Sequence, residues 1–190
     1  MYKIAVLVGS LRDDSVNLKF AKALEKLAAG RLAFNYIKID DLPFYDDALW
    51  QNGPASIKRF KSDIQNADGA LLVTPEFNRS IPAVLKNAID WASRPYGQSA
   101  WADKPTTITG TTPGATGTTQ AQAHLRSIMT VLGVALMGSP EVYFQTKPGL
   151  INENYEITDE TTLAFLQGYM DKFANWVAKI NHDHLAVAAE

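Results

Sequence analysis

Apolar positions along this chain follow two alternating rhythms. Short unbroken apolar runs end at glycine or threonine, and longer stretches between them carry apolar residues at helical spacing. Lys3–Gly9 (KIAVLVG) predicts a first buried strand, and Ser15–Ala29 predicts a helix with Val16, Phe20, Leu24 and Leu27 on one face and Gly30 as its stop. Ala33–Ile39 predicts a second strand. Asp40–Pro54 is acidic, broken by proline and glycine, and predicts a loop. A helix is expected over Ala55–Ala67, with Ile57, Phe60 and Ile64 on one side. Gly69–Thr74 is a third strand, Pro82–Ala92 a helix with proline in its first turn, and Pro105–Gly110 a Thr-rich fourth strand. Gln120–Leu132 predicts a helix, and Val134–Val142 contains a fifth strand. Thr158 has the character of an N-cap, with Thr161 at the box position, for a last helix running to about Ile180. Asn181–Glu190 has no strong pattern and is expected to be frayed.

Strands alternating with helices imply a parallel sheet covered on both faces, which is why its strands are continuously apolar. In such α/β folds ligands bind beyond the carboxyl ends of the strands. The loops after strands one, three and four therefore carry the functional expectation. With 190 residues, the chain is expected to form a single domain.

Composition narrows the chemistry. Eighteen basic against twenty acidic residues leave a net charge of −2, too balanced for a nucleic-acid groove or a polybasic membrane patch. No cysteine is present, which removes disulfides, thiolate nucleophiles and cysteine metal sites. Of three histidines, His182 and His184 lie near the end of the chain, and His124 reads as a helix-surface or interface residue. No apolar run reaches the roughly 20 residues of a membrane span, and the opening segment reads as a strand, not a signal peptide. A cytoplasmic protein without a metal site is expected.

The first loop, Gly9–Asn17, offers the hydroxyls of Ser10 and Ser15, the Arg12 guanidinium, the Asn17 carboxamide and the unpaired N–H groups of a helix start. Those N–H groups and the helix dipole favour an anion. The loop has neither the G-x-x-x-x-G-K-[ST] nor the G-x-G-x-x-G pattern, so a single terminal phosphate fits best. Asp13 and Asp14 would repel it and are expected to face solvent or help cap the helix. The second loop, Thr74–Pro82, is stiffened by Pro75 and Pro82 and can present backbone N–H groups to the edge of a flat heterocycle. Phe77 either covers an aromatic face or fills the core; Glu76 and Asn78 need partners if buried; Arg79 is either a surface charge or a contact for an anionic substrate or cofactor phosphate. The third loop, Thr109–Thr119, holds three glycines and six threonines and can lie close against a ring edge.

GSLRDDSVN, TPEFNRSIPAVLKNAIDWASRP and the Thr/Gly loop leading into AQAHLR together resemble the NADPH-dependent FMN reductase family, nearest its chromate and quinone reductases, over about residues 3–145. The resemblance implies an α/β, flavodoxin-like, doubly wound five-stranded parallel sheet of order 2-1-3-4-5 with helices on both faces. It also implies one non-covalent FMN and ping-pong transfer of electrons from NAD(P)H to small acceptors: quinones, free flavin, azo compounds or chromate-type oxyanions. By that similarity Ser10, Arg12, Ser15, Val16 and Asn17 hold the phosphate. Pro75, Glu76, Phe77, Asn78 and Arg79 line the ring, joined by Thr112. Flavin N5 carries the chemistry, and no side chain is expected to be catalytic. A homodimer or homotetramer is implied, with Trp91 and Arg94 near a subunit boundary. Phe77 stands where many members have Tyr, and Arg79 where close relatives can carry an aromatic residue. Two other readings remain at this point: an electron-carrier flavodoxin, or a non-redox module binding some other phosphate.

Overall fold

The computed structural model describes residues 1–187. Its sheet is built from β1 (Tyr2–Val8), β2 (Leu32–Tyr36), β3 (Gly69–Val73), β4 (Pro105–Thr112), β5 (Ala135–Leu136) and β6 (Val142–Gln145). Between them run α1 (Val16–Leu27), α2 (Leu49–Asn52), α3 (Ala55–Gln65), α4 (Ala83–Ala92) and α5 (Thr119–Val131), and α6 (Glu160–Val187) closes the chain. The strand order is β2-β1-β3-β4-β5, with β6 also on β4, and every pairing is parallel. This is the expected doubly wound order.

Alternation along the strands produces two cores. Ile4 and Val6 of β1 and Leu71 and Val73 of β3 pack against α1 and α6, with Phe20, Leu24, Tyr169 and Phe173. Ala5, Leu7, Ala70 and Leu72 point to the opposite face, against Phe60 and Ile64 of α3, Leu85 and Ile89 of α4, and Leu125 of α5. Both faces of β1 and β3 are thus buried, which accounts for their unbroken apolar sequence. Phe20 stacks on Phe144 of β6 with ring centroids 4.6 Å apart, tying α1 to the far edge of the sheet.

Four details differ from the sequence expectation. The fifth strand is split in two, making six strands in place of five. Thr106 pairs with both Ala70 and Leu136, and Thr109 with both Val73 and Val142, so β5 and β6 follow one another along the same outer edge of β4. The acidic Asp40–Pro54 loop contains the single turn α2. Asp159, not Thr158, begins α6: its Oδ1 accepts from Thr162 N–H at 2.7 Å, while the Thr158 hydroxyl donates to Gly149 O at 3.0 Å. The helix then runs on to Val187, past Ile180, and Asn181 donates its amide to Asp68 O at 2.9 Å. The expectation for 188–190 lies outside the described residues. Among the described residues no helix is long and apolar enough to cross a membrane.

Candidate functional site

The carboxyl ends of β1, β3 and β4 lie side by side, so the three loops that follow them meet. They enclose a cleft of about 320 Å³. Its walls include Ser10, Arg12, Ser15, Val16 and Asn17 from the first loop, Pro75, Glu76 and Phe77 from the second, and Thr112 from the third. Residues 102 positions apart in the chain are brought together because a parallel sheet places all its carboxyl ends on one edge. Asn78 and Arg79 do not line this cleft. Asn78 borders a neighbouring groove with Gly9, Leu11 and Val84, and Arg79 a second one with Glu76, Thr116 and Tyr143.

One end of the cleft is an anion cradle. Ser15 caps α1, its hydroxyl accepting from Leu18 N–H at 3.2 Å. The N–H groups of Val16 and Asn17, first in the helix, have no intrahelical acceptor. No acidic residue occupies that first turn, so the positive end of the helix dipole is not neutralised there. Neither Asp13 nor Asp14 caps the helix. Asp14 instead pairs with Arg12, at 2.8 Å to Nε and 2.7 Å to Nη2, and this contact holds its carboxyl below the usual carboxylate range.

Two residues expected to touch a ligand have a structural role as well. Asn17 is 2% exposed; its Nδ2 donates to Thr111 O at 3.0 Å, and its Oδ1 accepts from Thr111 N–H at 2.9 Å. It continues the hydrogen bonding of β4 where β3, whose register ends at Thr109, no longer reaches. The Glu76 carboxylate accepts from Gln120 N–H at 2.9 Å and Ala121 N–H at 3.1 Å, capping α5 from another loop. That suits α5, whose own N-cap, Thr118, makes no side-chain cap bond.

The second loop turns through a tight hairpin. Phe77 and Ser80 exchange both backbone hydrogen bonds, at 3.0 and 2.9 Å, around Asn78 (φ 49°) and Arg79 (φ 65°). Two successive left-handed residues make a primed turn without glycine, a strained arrangement for ordinary side chains. His124 on α5 holds the hairpin's end, its Nδ1 lying 3.0 Å from Ser80 Oγ. Asn78 is exposed at the tip, so its amide needs no buried partner. Phe77 is 58% exposed, so it fills no core; its ring walls the cleft. Trp91, by contrast, is fully buried; its Nε1–H donates to Pro43 O at 2.8 Å and its ring meets Tyr45 and Trp50 edge-on. The interfacial role expected of Trp91 is therefore corrected. Arg94 is exposed.

The Thr-rich loop meets the site through two devices. A Cβ on Gly110 would lie 1.9 Å from Thr74 O, so only glycine lets β4 press against the second loop. Thr111, at the cleft, is 1% exposed and its hydroxyl has no hydrogen-bond partner, although Thr106, Thr107 and Thr109 below it are all satisfied. A buried hydroxyl without a partner at a cleft is where a ligand's polar group is expected. The sequence named Thr112, which lines the cleft, and did not name Thr111 beside it; the clue to Thr111 was the buried Thr-x-Thr-x-Thr alternation of β4. Together, one guanidinium, serine hydroxyls, helix N–H groups and the Thr111 hydroxyl form a donor set that fits the phosphate and polyol chain of FMN. Pro75, Phe77 and Pro113 offer the apolar surface a flat ring requires.

The model of the NADPH-dependent FMN reductase family matches residues 2–149. The chain belongs to that family. This FMN reductase homologue is 49% identical over 175 residues to a 2-hydroxy-1,4-benzoquinone reductase of Burkholderia sp, covering 92% of this chain and 96% of that protein. It is 44% identical over 182 residues to a quinone reductase of Pseudomonas putida, covering 95% and 97%. Among solved structures, FerB of Paracoccus denitrificans, a flavoenzyme NAD(P)H:(acceptor) oxidoreductase, superposes with a TM-score of 0.92 at 47% identity, covering 94% of this chain and 98% of FerB.

Proposed function

We propose that the chain is an FMN-dependent oxidoreductase that takes electrons from NAD(P)H and passes them to small acceptors, quinones foremost, in a ping-pong cycle. The observation that carries this reading is the meeting of three loops on one cleft, with an anion cradle at one end and an apolar wall at the other. When bound, FMN supplies the hydride-accepting ring chemistry, and the protein supplies binding and orientation. Ser10, Arg12, Ser15 and the N–H groups of Val16 and Asn17 hold the phosphate. Thr111 and Thr112 meet the chain between phosphate and ring, and Pro75, Glu76 and Phe77 border the ring. Asn17 and Glu76 act in addition by fixing β4 and α5 around the cleft. Asn78 forms the hairpin tip. Arg79 faces an adjoining groove of about 330 Å³ and attracts the anionic parts of NADPH or of an acidic acceptor.

The enzyme works as a homodimer or homotetramer in the cytoplasm, where its nicotinamide reductant is available. Phe44 and Tyr96, 82% and 94% exposed near the end of α4, are the kind of aromatic surface a subunit boundary covers; light scattering on an eluting column checks the mass. The functional test is anaerobic titration of the FMN-loaded protein with NADPH. Bleaching of the flavin bands, reversed by 1,4-benzoquinone, supports the reading. A protein that stays colourless after FMN is added points to a non-redox module. One that binds FMN but is not bleached is an electron carrier, for which a net charge of −2 offers little docking surface.

A further inference from the structure

The residue best suited to grip a phosphate is already engaged. Arg12 presents its fork to Asp14, two residues on, in a bidentate contact of 2.8 and 2.7 Å. A guanidinium takes a phosphate with that same fork. Both side chains line the cleft, and both are about three-quarters exposed, at 73% and 74%. Two roles are conceivable for such a carboxylate. It could orient Arg12 and remain in place while the phosphate takes the remaining donor, or it could stand where the phosphate goes.

The surroundings decide between them. Asp14 immediately precedes the Ser15 cap, so an ionised carboxylate already stands beside the anion cradle. A dianionic phosphate arriving there meets a like charge unless Asp14 moves away. An ion pair this exposed is held weakly and breaks easily. Beyond a weaker contact with its own backbone N–H, Asp14 is held by Arg12, its only side-chain partner among the described residues.

We propose that Asp14 is an internal substitute for the cofactor phosphate, occupying Arg12 in the FMN-free protein and displaced when FMN binds. It thereby sets FMN affinity below what the loop's donors would give alone. The inference rests on the phosphate reading above and makes an unusual demand: removing a charged residue from the binding loop strengthens binding.

The test is FMN titration of the apoprotein by flavin fluorescence, with wild type, Asp14→Asn, Arg12→Ala and the double variant. Riboflavin serves as the ligand without phosphate. Asp14→Asn should tighten FMN about three- to tenfold, from a freed guanidinium and one fewer like charge in a screened, exposed setting. It should leave riboflavin unchanged. In the Arg12→Ala background the gain should shrink to the small like-charge part, because no fork remains to be freed. Unchanged or weaker FMN binding by Asp14→Asn overturns the proposal and makes Asp14 an orienting partner. A gain that persists undiminished without Arg12 also overturns it, leaving general repulsion as the cause. Equal binding of FMN and riboflavin by wild type removes the phosphate reading itself, and this proposal with it.

Discussion

Replacing Asn17 by alanine separates a structural role from a binding role. Asn17 is 2% exposed and spans Thr111 with one donated and one accepted hydrogen bond, of 3.0 and 2.9 Å. Alanine leaves the N–H and C=O of Thr111 buried at a place where no neighbouring strand can take them. Each net hydrogen bond is worth about 1 kcal/mol, and each orphaned buried group costs about 1–3 kcal/mol. Because these descriptions overlap, the expected loss is about 2–5 kcal/mol, a large part of a typical domain's stability. Aspartate is expected to be no better: it can still accept from Thr111 N–H but sets a carboxylate oxygen against Thr111 O. The assay is urea unfolding of the FMN-free protein, which removes cofactor binding from the comparison. With a urea dependence of about 2 kcal/mol per molar, the midpoint should fall by roughly 1–2.5 M. A midpoint equal to wild type, with FMN affinity alone reduced, would refute the reasoning and return Asn17 to a pure phosphate ligand.

Arg79→Ala should raise KM for NADPH and for anionic acceptors while FMN content stays unchanged; the same KM for NADPH and for an anionic acceptor as in wild type marks Arg79 as a bystander. His124→Ala should loosen the Phe77–Ser80 hairpin and speed its amide exchange. His124→Asn should restore protection, since its amide can occupy the position of Nδ1; fast exchange in neither variant makes the Ser80 contact idle. Asp159 is held below its usual pKa near 3.8 first by its hydrogen bond to Thr162. The folded state therefore binds that proton less readily, and the cap's contribution is present above pH 3.8 and lost as pH falls through the lowered value. Asp159→Asn, which caps without titrating, should show a shallower acid limb in thermal unfolding, and identical limbs would exclude the cap as the cause.

What could be read in the sequence was whatever depends on near neighbours. β1 and β3 are visible because both faces of each are buried, so no polar residue interrupts them. The first loop is visible because its donors lie within nine positions of one another, and a parallel sheet leaves only one edge at which ligands can gather. β5 and β6 are short and at an edge, where partial exposure erases the apolar run. The α6 cap was displaced by one residue, since Thr158 and Asp159 are both suitable capping types. The structural roles of Asn17 and Glu76 were hidden for another reason: their partners are 94 and 44 positions away. A carboxamide that binds a ligand and one that completes a sheet have the same spelling. Thr111 was overlooked in favour of Thr112 because only the strand's register shows which threonine is buried, and only its unsatisfied hydroxyl marks it out.

The proposed function requires that FMN be gripped by its phosphate at the start of α1. The measurement that reaches this most directly is the affinity of the apoprotein for FMN against riboflavin, in wild type and in Arg12→Ala. Wild type should prefer FMN by well over tenfold, as several charge-assisted hydrogen bonds would require, and Arg12→Ala should lose much of that preference. Equal affinity for the two ligands in wild type would contradict it.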